Sequence, residues 1–416
     1  MKIALFTETY LPVINGIVTH VKTLKDGLEQ LGHKVMIVTA DTRYKKHKLT
    51  EDILYCPALI RVKKIYNYGL ASPLSAKRFQ ILRAFKPDII HIHNEFGIGL
   101  SGILIAELLN VPIVYTLHTM YDDYIYYIAR KRLNHLTTKL THTYARALAH
   151  FADALTGPSS KVEDYFKKCG VKKRVEVIAN SVELDKFNRD NTDMVKAQAI
   201  RNEYGFSDDD YVFTFCGRIG KEKNVSRLIE NVHMTVKPED GIKVLITGGG
   251  PLLDLHMDEV EKYGLEDIIK FAGRVEHDDL PPYYAACNAY ITASLSDTCS
   301  ISMLEGMAMN LPCLHIRDEK NAGQVVDGVN GYIYNDADEM YKHMKNLKAM
   351  PETERRKFGE QVRESILGSD SETLAKSVME IYRAVRWRKI RKKQSSIIRR
   401  INKKRVYVIR KIMKSR

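Results

Sequence analysis

Cysteine is scarce and scattered in this sequence. The 416 residues include six cysteines, and no two of them have the close spacing of a metal-binding or redox pair. They are Cys56, Cys169, Cys216, Cys287, Cys299 and Cys313. Several lie inside apolar stretches. This usage fits a reduced cytosolic compartment better than a disulfide-stabilised secreted protein.

Long apolar runs are also missing. None approaches the roughly 20 residues that a helix needs to span a bilayer. The N-terminal MKIALFTETYLPV is interrupted by Glu8, and no small-residue cleavage site follows it, so we interpret it as a first strand and not as a signal peptide. Because the chain exceeds the roughly 250–300 residues that a single core supports, two domains are expected.

Acidic residues are absent from the C-terminal end. Between Arg383 and Arg416 there are 16 lysines and arginines and no Asp or Glu, whereas the rest of the chain holds 49 basic and 51 acidic residues. Trp387, Ile390 and later apolar residues recur at intervals of three, four or seven, which predicts a basic amphipathic helix suited to an anionic membrane surface. Nucleic-acid binding through phosphate contacts and a solvated tail without a partner are the alternatives.

Strand patterns alternate with helical patterns along most of the chain. A first series runs from KIALFT to VEVIANSV and a second from YVFTFCGR to LPCLHI, with a polar linker at about 186–210 between them. This alternation predicts an α/β fold of two Rossmann-like, doubly wound parallel sheets that face each other across a cleft. We expect domains at 1–190 and 191–370, then a crossing helix and basic tail at 371–416. Ligands of such sheets bind beyond the carboxyl ends of the strands.

Several loops at predicted strand ends suit an anionic ligand. Asn15 and Gly16 precede a helix, where amides can approach a phosphate or sugar, although an ordinary turn has the same pattern. Beyond FCGR, Arg218 and Lys223 suit a diphosphate, with a solvated charged loop as the alternative. KVLITGGG has neither dinucleotide-binding nor P-loop spacing, which argues against hydride transfer and ATP hydrolysis. Its three glycines nevertheless indicate close backbone approach.

Three histidines lie in or at the end of predicted strands. His118 closes YTLH and could hydrogen-bond a phosphate or sugar hydroxyl in the cleft, although a lone histidine is more often structural. His91 and His93 alternate in PDIIHIH and share a strand face. Because no third ligand of matching spacing lies nearby, packing is favoured over metal binding.

The stretch SLSDTCSISMLEGMA combines a loop with the start of a helix. Its residues from Thr298 to Ser302 are mostly small and would present amides at a positive helix end, which favours an anion. Asp297 and Glu305 lie on either side of seven residues. Because Ser302 and Glu305 have capping-box spacing, Glu305 could instead reach back to the backbone amide of the N-cap residue, and the pattern alone favours that cap.

In this order the motifs resemble those of the retaining glycosyltransferases of family 4, which have the two-domain GT-B fold. The likeness runs from Met1 to about Arg386. It rests on the Asn15-Gly16 loop, PDIIHIH, TLH, IANSVELDKF, FCGRIGKEKN, ITGGGPLL, FAGRV and the final acid pair. The sequence departs from the family at Ser181, where glycine is common, and at Asp297, where the family has Glu.

The resemblance implies roles for these residues. Glu305 would bind the ribose hydroxyls of the nucleotide, and Asp297 would contact the donor sugar. Arg218 and Lys223 would hold the diphosphate, and His118 would lie near the sugar. The other donor-binding residues implied are Gly16, Gly248, Gly249, Arg274, Val275, Thr298, Cys299, Ser300 and Ile301. No metal or other cofactor is expected.

A narrower likeness comes from HTMYDDYIYY, which is similar to a segment of bacterial enzymes that glycosylate diacylglycerol from UDP-glucose. The acceptor residues that it implies are Tyr121, Asp122, Asp123 and Tyr124. We therefore expect a nucleotide sugar, a lipid acceptor and an anionic membrane surface bound through 387–416 as partners, with no nucleic acid. The expected location is cytoplasmic, peripheral on the inner face of the cell membrane.

The alternatives concern both the acceptor and the activity. The acceptor could instead be a monoglycosyl-diacylglycerol, a polyprenyl-linked compound or a cell-wall polymer. A chain altered at Asp297 could also be a non-catalytic protein that binds a sugar nucleotide or nucleic acid.

Overall fold

In the computed structural model the chain contains two sheets of mainly parallel strands, each covered by helices. The structure describes residues 1–13, 15–62, 68–120, 122, 134–318 and 323–414, with the backbone alone for 61, 62, 68, 134–136, 393 and 396–414.

The first sheet and its helices are formed by the N-terminal part of the chain. The strands are β1 (Lys2–Thr7), β2 (Lys34–Asp41), β3 (Lys48–Thr50), β4 (Ile53–Val62), β5 (Tyr68–Ala71), β6 (Ile89–Ile92), β7 (Ile113–Thr116), β8 (Ala154–Gly157) and β9 (Val175–Val177). The helices are α1 (Gly16–Gln30), α2 (Ala76–Phe85), α3 (Gly97–Leu109), α4 (Asn134–Phe151) and α5 (Ser160–Lys168). The strand order is β3-β4-β2-β1-β6-β7-β8-β9, with β5 paired to β4.

The second sheet follows a connecting segment. Its strands are β10 (Tyr211–Cys216), β11 (Ile242–Thr247), β12 (Ile269–Gly273), β13 (Ala289–Thr292), β14 (Cys313–Ile316) and β15 (Gly331–Tyr334). The helices are α6 (Met194–Glu203), α7 (Val225–Thr235), α8 (Leu253–Lys262), α9 (Leu280–Ala285), α10 (Ile301–Ala308), α11 (Ala337–Ala349), α12 (Glu352–Glu364) and α13 (Ser371–Lys414). The order is β12-β11-β10-β13-β14-β15, and all its pairs are parallel.

The strands β3, β4 and β5 depart from the predicted all-parallel sheet. β4 pairs in parallel with β2, but β3 and β5 pair with β4 in antiparallel fashion. The sequence did not reveal them, because β3 has only three residues and β4 contains Pro57, which disfavours a central strand. These strands lie at the edge of the sheet opposite to β8 and β9.

The long helix α13 packs back on the first sheet. Its buried residues share an apolar cluster with α1, β1 and β2, and they are Leu374, Ala375, Val378, Met379, Tyr382 and Val385. A Cβ atom at Gly27 would lie 2.1 Å from the carbonyl oxygen of Ser371, so the two helices cross in close contact. The Tyr382 hydroxyl lies 2.6 Å from Nδ1 of the buried His91. In the part of the chain that the structure describes, no helix has the length and apolar character needed to cross a membrane.

Candidate active site

The carboxyl edges of the two sheets meet at a small number of polar contacts. Lys161, in the first turn of α5, donates to the carbonyl oxygens of Leu295 and Asp297, at 2.9 and 2.8 Å. The Asn180 amide nitrogen donates to the carbonyl oxygen of Cys299 at 2.8 Å. The two sheets therefore face each other at the loop that follows β13, where the cleft is predicted.

The N-termini of α1 and α10 face each other in this cleft. Asn15 caps α1 and accepts hydrogen bonds from the amides of Ile17 and Val18. A Cβ atom at Gly16 would lie 3.9 Å from Cδ1 of Ile301, the first residue of α10. Each helix end carries a partial positive charge, so this part of the cleft favours an anion.

Glu305 lies in α10, and its carboxylate does not cap the helix. Ser300 is the N-cap and accepts from the Met303 amide at 3.4 Å. Glu305 is buried, with one oxygen 2.9 Å from Nε2 of His277 and the other accepting from the Tyr284 hydroxyl at 2.9 Å. The capping interpretation is therefore wrong. His277 and Tyr284 were missed because they lie 28 and 21 residues away in the sequence, without a recognisable motif.

Asp297 forms an ion pair with Lys223, and both side chains are largely buried. Burial raises the pKa of Asp297, but the Lys223 charge and hydrogen bonds from Lys223 and Ser294 outweigh burial, so the pKa is lower than usual. Arg218 lies 3.1 Å from the carboxylate of the buried Glu222. Arg218 and Lys223, the two predicted diphosphate ligands, thus each have an acidic partner. The partner of Lys223 is Asp297, the residue predicted to contact the donor sugar.

The amides between Asp297 and α10 differ in their partners. None of the described residues accepts a hydrogen bond from the amides of Thr298, Cys299 and Ile301. The Ser300 amide instead donates to the side-chain oxygen of Gln324 at 3.0 Å, and the Gln324 amide group donates back to the Ser300 carbonyl at 2.8 Å. Three of the four predicted amides therefore have no acceptor among the described residues, and that of Ser300 is occupied.

The remaining predicted donor residues lie at the ends of β11 and β12. A Cβ atom at Gly248 would lie 1.8 Å from the Gly217 carbonyl oxygen, so packing of neighbouring strand ends alone requires glycine there. At Gly249 the nearest atom to a Cβ would be 3.6 Å away, on Arg274. The Arg274 side chain is exposed and pairs with Glu276 at 3.1 Å. Val275, next to it, packs against an apolar cluster of the second sheet.

His118 belongs to a group of histidines. Its Nε2 lies 3.1 Å from Nδ1 of His93, and its ring centroid lies 4.7 Å from that of His20 in α1. Burial lowers the pKa of His118 and His93 well below the usual value, and that of His20 to about 4. His91 bonds to Tyr382 and to Thr116 instead, which agrees with the packing role expected for it.

The sequence did not reveal that His20 joins His93 and His118. One ring nitrogen of each of these three histidines lies within 4.8 Å of the others. Among the described residues, this group has an arrangement that could hold a metal ion. Neutral imidazoles are metal ligands, but they are also neutral hydrogen-bonding groups for a sugar. The expectation that no metal is needed stays a prediction.

The family of the chain follows from comparison with known proteins. The profile described as Glycosyltransferase Family 4 matches residues 14–186, and the profile described as Glycosyl transferases group 1 matches residues 196–365. The alpha-monoglucosyldiacylglycerol synthase of Streptococcus pneumoniae is 30% identical over 318 residues, which are 76% of this chain and 70% of that protein. The chain is a family 4 glycosyltransferase.

Other relatives of this glycosyltransferase agree. The alpha-monoglucosyldiacylglycerol synthase of Acholeplasma laidlawii is 29% identical over 365 residues, covering 85% of this chain and 89% of that protein. The structure of Anabaena HepE in complex with UDP and glucose has a TM-score of 0.70 at 17% identity, covering 92% of this chain and all of that one. A sucrose-phosphate synthase from Thermosynechococcus elongatus has a TM-score of 0.71 at 17% identity, with 92% and 98% coverage. The predicted GT-B fold is confirmed.

Of the four predicted acceptor residues of the glycosyltransferase, one is among the residues that the structure describes. Asp122 is described, and its carboxylate lies 2.9 Å from Nε2 of His142 in α4. Tyr121, Asp123 and Tyr124 lie outside the described residues. The position of Asp122 after β7 is at the same sheet edge as His118.

Glu8 is a buried acid that no motif of the sequence indicated. Burial raises the pKa of Glu8 to about 7. Hydrogen bonds from the amides of Ile98 and Gly99 lower this pKa, but burial outweighs them. One oxygen accepts from the Ile98 amide at 2.6 Å, at the start of α3. Glu8 thus stabilises the N-terminus of α3 as a capping acid in the first domain of the glycosyltransferase.

Proposed function

We propose that this glycosyltransferase transfers glucose from UDP-glucose to diacylglycerol with retention, giving an α-glucosyl diacylglycerol at a membrane surface. The observation that carries the proposal is the likeness to two alpha-monoglucosyldiacylglycerol synthases, which extends over 76% and 85% of this chain and so includes both sheets. The cleft supports it, because a carboxylate, two cations and amides without acceptors among the described residues lie together at the junction of the sheets.

The donor diphosphate would lie at the start of α10. Arg218, Lys223 and the amides of Thr298 and Cys299 would neutralise its charge. In binding, Lys223 would exchange the Asp297 carboxylate for a phosphate oxygen, which leaves that carboxylate to accept hydrogen bonds from donor-sugar hydroxyls. The acid pair from the sequence would then bind the two ends of one donor molecule, with Glu305 at the ribose.

Glu305 is held in place for that role by its two partners. His277 and Tyr284 each bond one of its oxygens, which fixes the carboxylate plane. A carboxylate oxygen has two lone pairs and can accept a second hydrogen bond, so ribose hydroxyls can bind without displacing either partner.

Transfer with retention would use the leaving diphosphate as the base. The acceptor hydroxyl oxygen would form the new bond to C1 of glucose on the face from which the diphosphate departs, as the bond from C1 to the phosphate oxygen breaks. The hydroxyl proton would pass to the leaving phosphate oxygen. Catalysis then consists of positioning and of stabilising the growing phosphate charge, and no metal is required in this scheme.

The membrane surface would be bound through 387–416. Trp387 and Ile390 are exposed on α13, with 57% and 45% of their surface accessible. Each basic residue near an anionic leaflet contributes about 1 kcal/mol of attraction, so a few of those in the tail suffice to hold the chain at the surface. The lipid acceptor would approach the segment that includes Asp122, on the inner face of the cell membrane.

A panel of donors and acceptors tests the reaction. Purified protein is incubated with UDP-glucose, UDP-galactose or GDP-mannose, the last because several relatives are named GDP-mannose-dependent alpha-mannosyltransferases. Vesicles supply diacylglycerol or monoglucosyl-diacylglycerol. We expect product with UDP-glucose and diacylglycerol, and an α-anomeric linkage identified by proton NMR would show retention. Exclusive use of GDP-mannose, or a β-linked product, would reject the proposal.

Flotation with vesicles tests the membrane assignment separately. The full chain and a chain ending at Arg386 are compared on anionic and neutral vesicles. We expect the full chain to float with anionic vesicles, and the shortened chain to remain at the bottom of the gradient. Equal flotation of the two chains would contradict a role for 387–416, and preference for nucleic acid over anionic vesicles would favour that alternative.

A further inference from the structure

Lys161 is a buried cation that the donor-site scheme does not use. It lies in α5, one of the helices that cover the first sheet, and only 2% of its side chain is exposed. Its ammonium group donates to the carbonyl oxygens of Leu295 and Asp297 and forms an ion pair with Asp318. All three acceptors belong to the second sheet, at the ends of β13 and β14.

The ammonium group has three N–H donors, and these three acceptors match that number. A buried charge is costly unless it is paired and hydrogen-bonded. The environment of Lys161 is therefore satisfied only when the two sheets are in the arrangement described above. This couples the position of α5 to that of the loop carrying Asp297.

The hydrogen bond to Asp297 also sets the direction of an amide. Leu11-Pro12 is the only cis peptide bond among the described residues. The peptide joining Asp297 and Thr298 is therefore trans. In a trans peptide the C=O and N–H groups point in opposite directions. Because the Asp297 carbonyl points at Lys161, the Thr298 amide points away from it.

The opposite side of the same loop is attached to the second sheet. The Ser296 hydroxyl donates to the carbonyl oxygen of Glu222 at 2.8 Å, and the Asp297 carboxylate pairs with Lys223. Asn180, shortly after β9 of the first sheet, donates a hydrogen bond to the Cys299 carbonyl oxygen, as Lys161 does to that of Asp297. The loop thus has attachments to both halves of the molecule, and Lys161 provides two of them, while its third bond goes to Asp318 after β14.

We infer that Lys161 is a positioning residue for transfer, which orients the Asp297–Thr298 peptide toward the donor diphosphate by linking the two halves of the molecule. It does not touch substrate in this scheme. The inference rests on the proposed function for its catalytic consequence, but the orientation of the loop does not depend on which donor or acceptor is used.

The test compares Lys161→Met with Lys167→Met. Lys167 is in the same helix but is exposed, and its ion pairs among the described residues are with Glu163 and Asp164 of that helix. Rates are measured at a temperature well below the melting point of each variant. We expect Lys161→Met to lower kcat about 100-fold, the order of loss for a small misplacement of reacting groups, with the KM for UDP-glucose within about threefold. Lys167→Met should match the wild type.

Hydrogen exchange of the unliganded protein gives a second readout that needs no activity. Peptides covering 294–300 should exchange faster in Lys161→Met and not in Lys167→Met. Unchanged exchange with unchanged kcat would overturn the inference, as would a rise in KM that accounts for the whole loss of kcat/KM. If the wild type transfers no sugar but the exchange still rises, the proposed function fails while the loop orientation by Lys161 stands.

Asp318→Asn is the second variant, in case Lys161→Met does not fold. It removes the charge of the pair from the side of the second sheet, where 10% of the Asp318 side chain is exposed. We expect a smaller loss of kcat in the same direction, with faster exchange of 294–300. Wild-type kcat and exchange in a folded Asp318→Asn protein would contradict the inference.

Discussion

At the residue scale, Asp297 shows why a short acid fits this position. Its carboxylate pairs with Lys223 while its carbonyl accepts from Lys161, so the residue is held at both ends. Sequence spacing identified Asp297 and Glu305 as a pair and Arg218 with Lys223 as cations. It could not show that Lys223 contacts Asp297, because 74 residues separate them.

Asp297→Glu tests whether one methylene sets the donor preference. The longer side chain would reach past Lys223 and bring its carboxylate nearer to the sugar hydroxyls. We expect the ratio of kcat/KM for UDP-glucose to that for UDP-galactose to change by about tenfold or more, because a site that hydrogen-bonds substrate hydroxyls discriminates strongly between substrates that differ at them. An unchanged ratio would show that the substitution relative to the family is neutral.

Arg218→Ala and Lys223→Ala test the diphosphate site. Each should lower kcat by about 100- to 1000-fold, as the loss of one charge-stabilising donor does in comparable sites, with circular dichroism unchanged. Lys243→Ala is the control, because Lys243 is at the opposite end of β11 and bonds only the Asp267 carbonyl among the described contacts. Near-normal turnover of both active-site variants would reject the assignment.

Buried histidines make stability depend on pH. Burial lowers the pKa of His20, His91, His93 and His118 below the ordinary 6.5, so at pH 4–6.5 the unfolded chain binds protons that the folded chain excludes. The free energy of unfolding should therefore decrease as the pH is lowered, by up to about 1.4 kcal/mol per pH unit for each histidine. Glu8, whose pKa rises from 4.5 to about 7, has the opposite effect and offsets about one of them.

Urea unfolding at pH 7.5, 6.0 and 5.0 measures this dependence. We expect the free energy of unfolding to be highest at pH 7.5 and to decrease at each step. Equal values at pH 7.5 and 5.0 would mean that the histidines accept protons in the folded chain.

At the element scale, the long buried strands were predictable and the edge strands were not. Strands such as β1, β10 and β11 are continuous apolar runs, because both of their faces are covered by helices. β3 and β5 have three and four residues and carry no such run. The start of α10 was predicted, but its capping was not, because two serines lie two residues apart and spacing does not decide between them.

The Gly248 loop offers a test at this scale. The residue has a φ of 142°, and a Cβ atom would meet the Gly217 carbonyl, so Gly248→Ala adds backbone strain and overpacking. We expect a loss of about 3 kcal/mol or more in the free energy of unfolding. Gly368→Ala is the control, because no atom lies within 4 Å of its Cβ position, and it should change stability by less than about 1 kcal/mol. Equal stability of the two variants would contradict the close approach of β10 and β11.

At the scale of the whole molecule, the sequence predicted two sheets and a cleft but not the contacts that join them. Those contacts link residues 119 to 157 positions apart, such as Asn180 with Cys299 and Lys161 with Asp318. The return of α13 to the first sheet likewise brings Tyr382 to His91, 291 positions away. Local patterns contain no information on such distances, so the histidine group and the loop attachments required the structure.

Incorporation of labelled glucose from UDP-glucose into lipid-soluble product tests the cleft and the acceptor together. The purified chain is incubated with vesicles of diacylglycerol and anionic lipid, beside Lys223→Ala and Lys243→Ala. We expect labelled glucosyl diacylglycerol from the wild type and Lys243→Ala, and at least about 100-fold less from Lys223→Ala. No lipid product from a wild-type chain that binds the vesicles, or equal product from Lys223→Ala, would contradict the proposed reaction and its site.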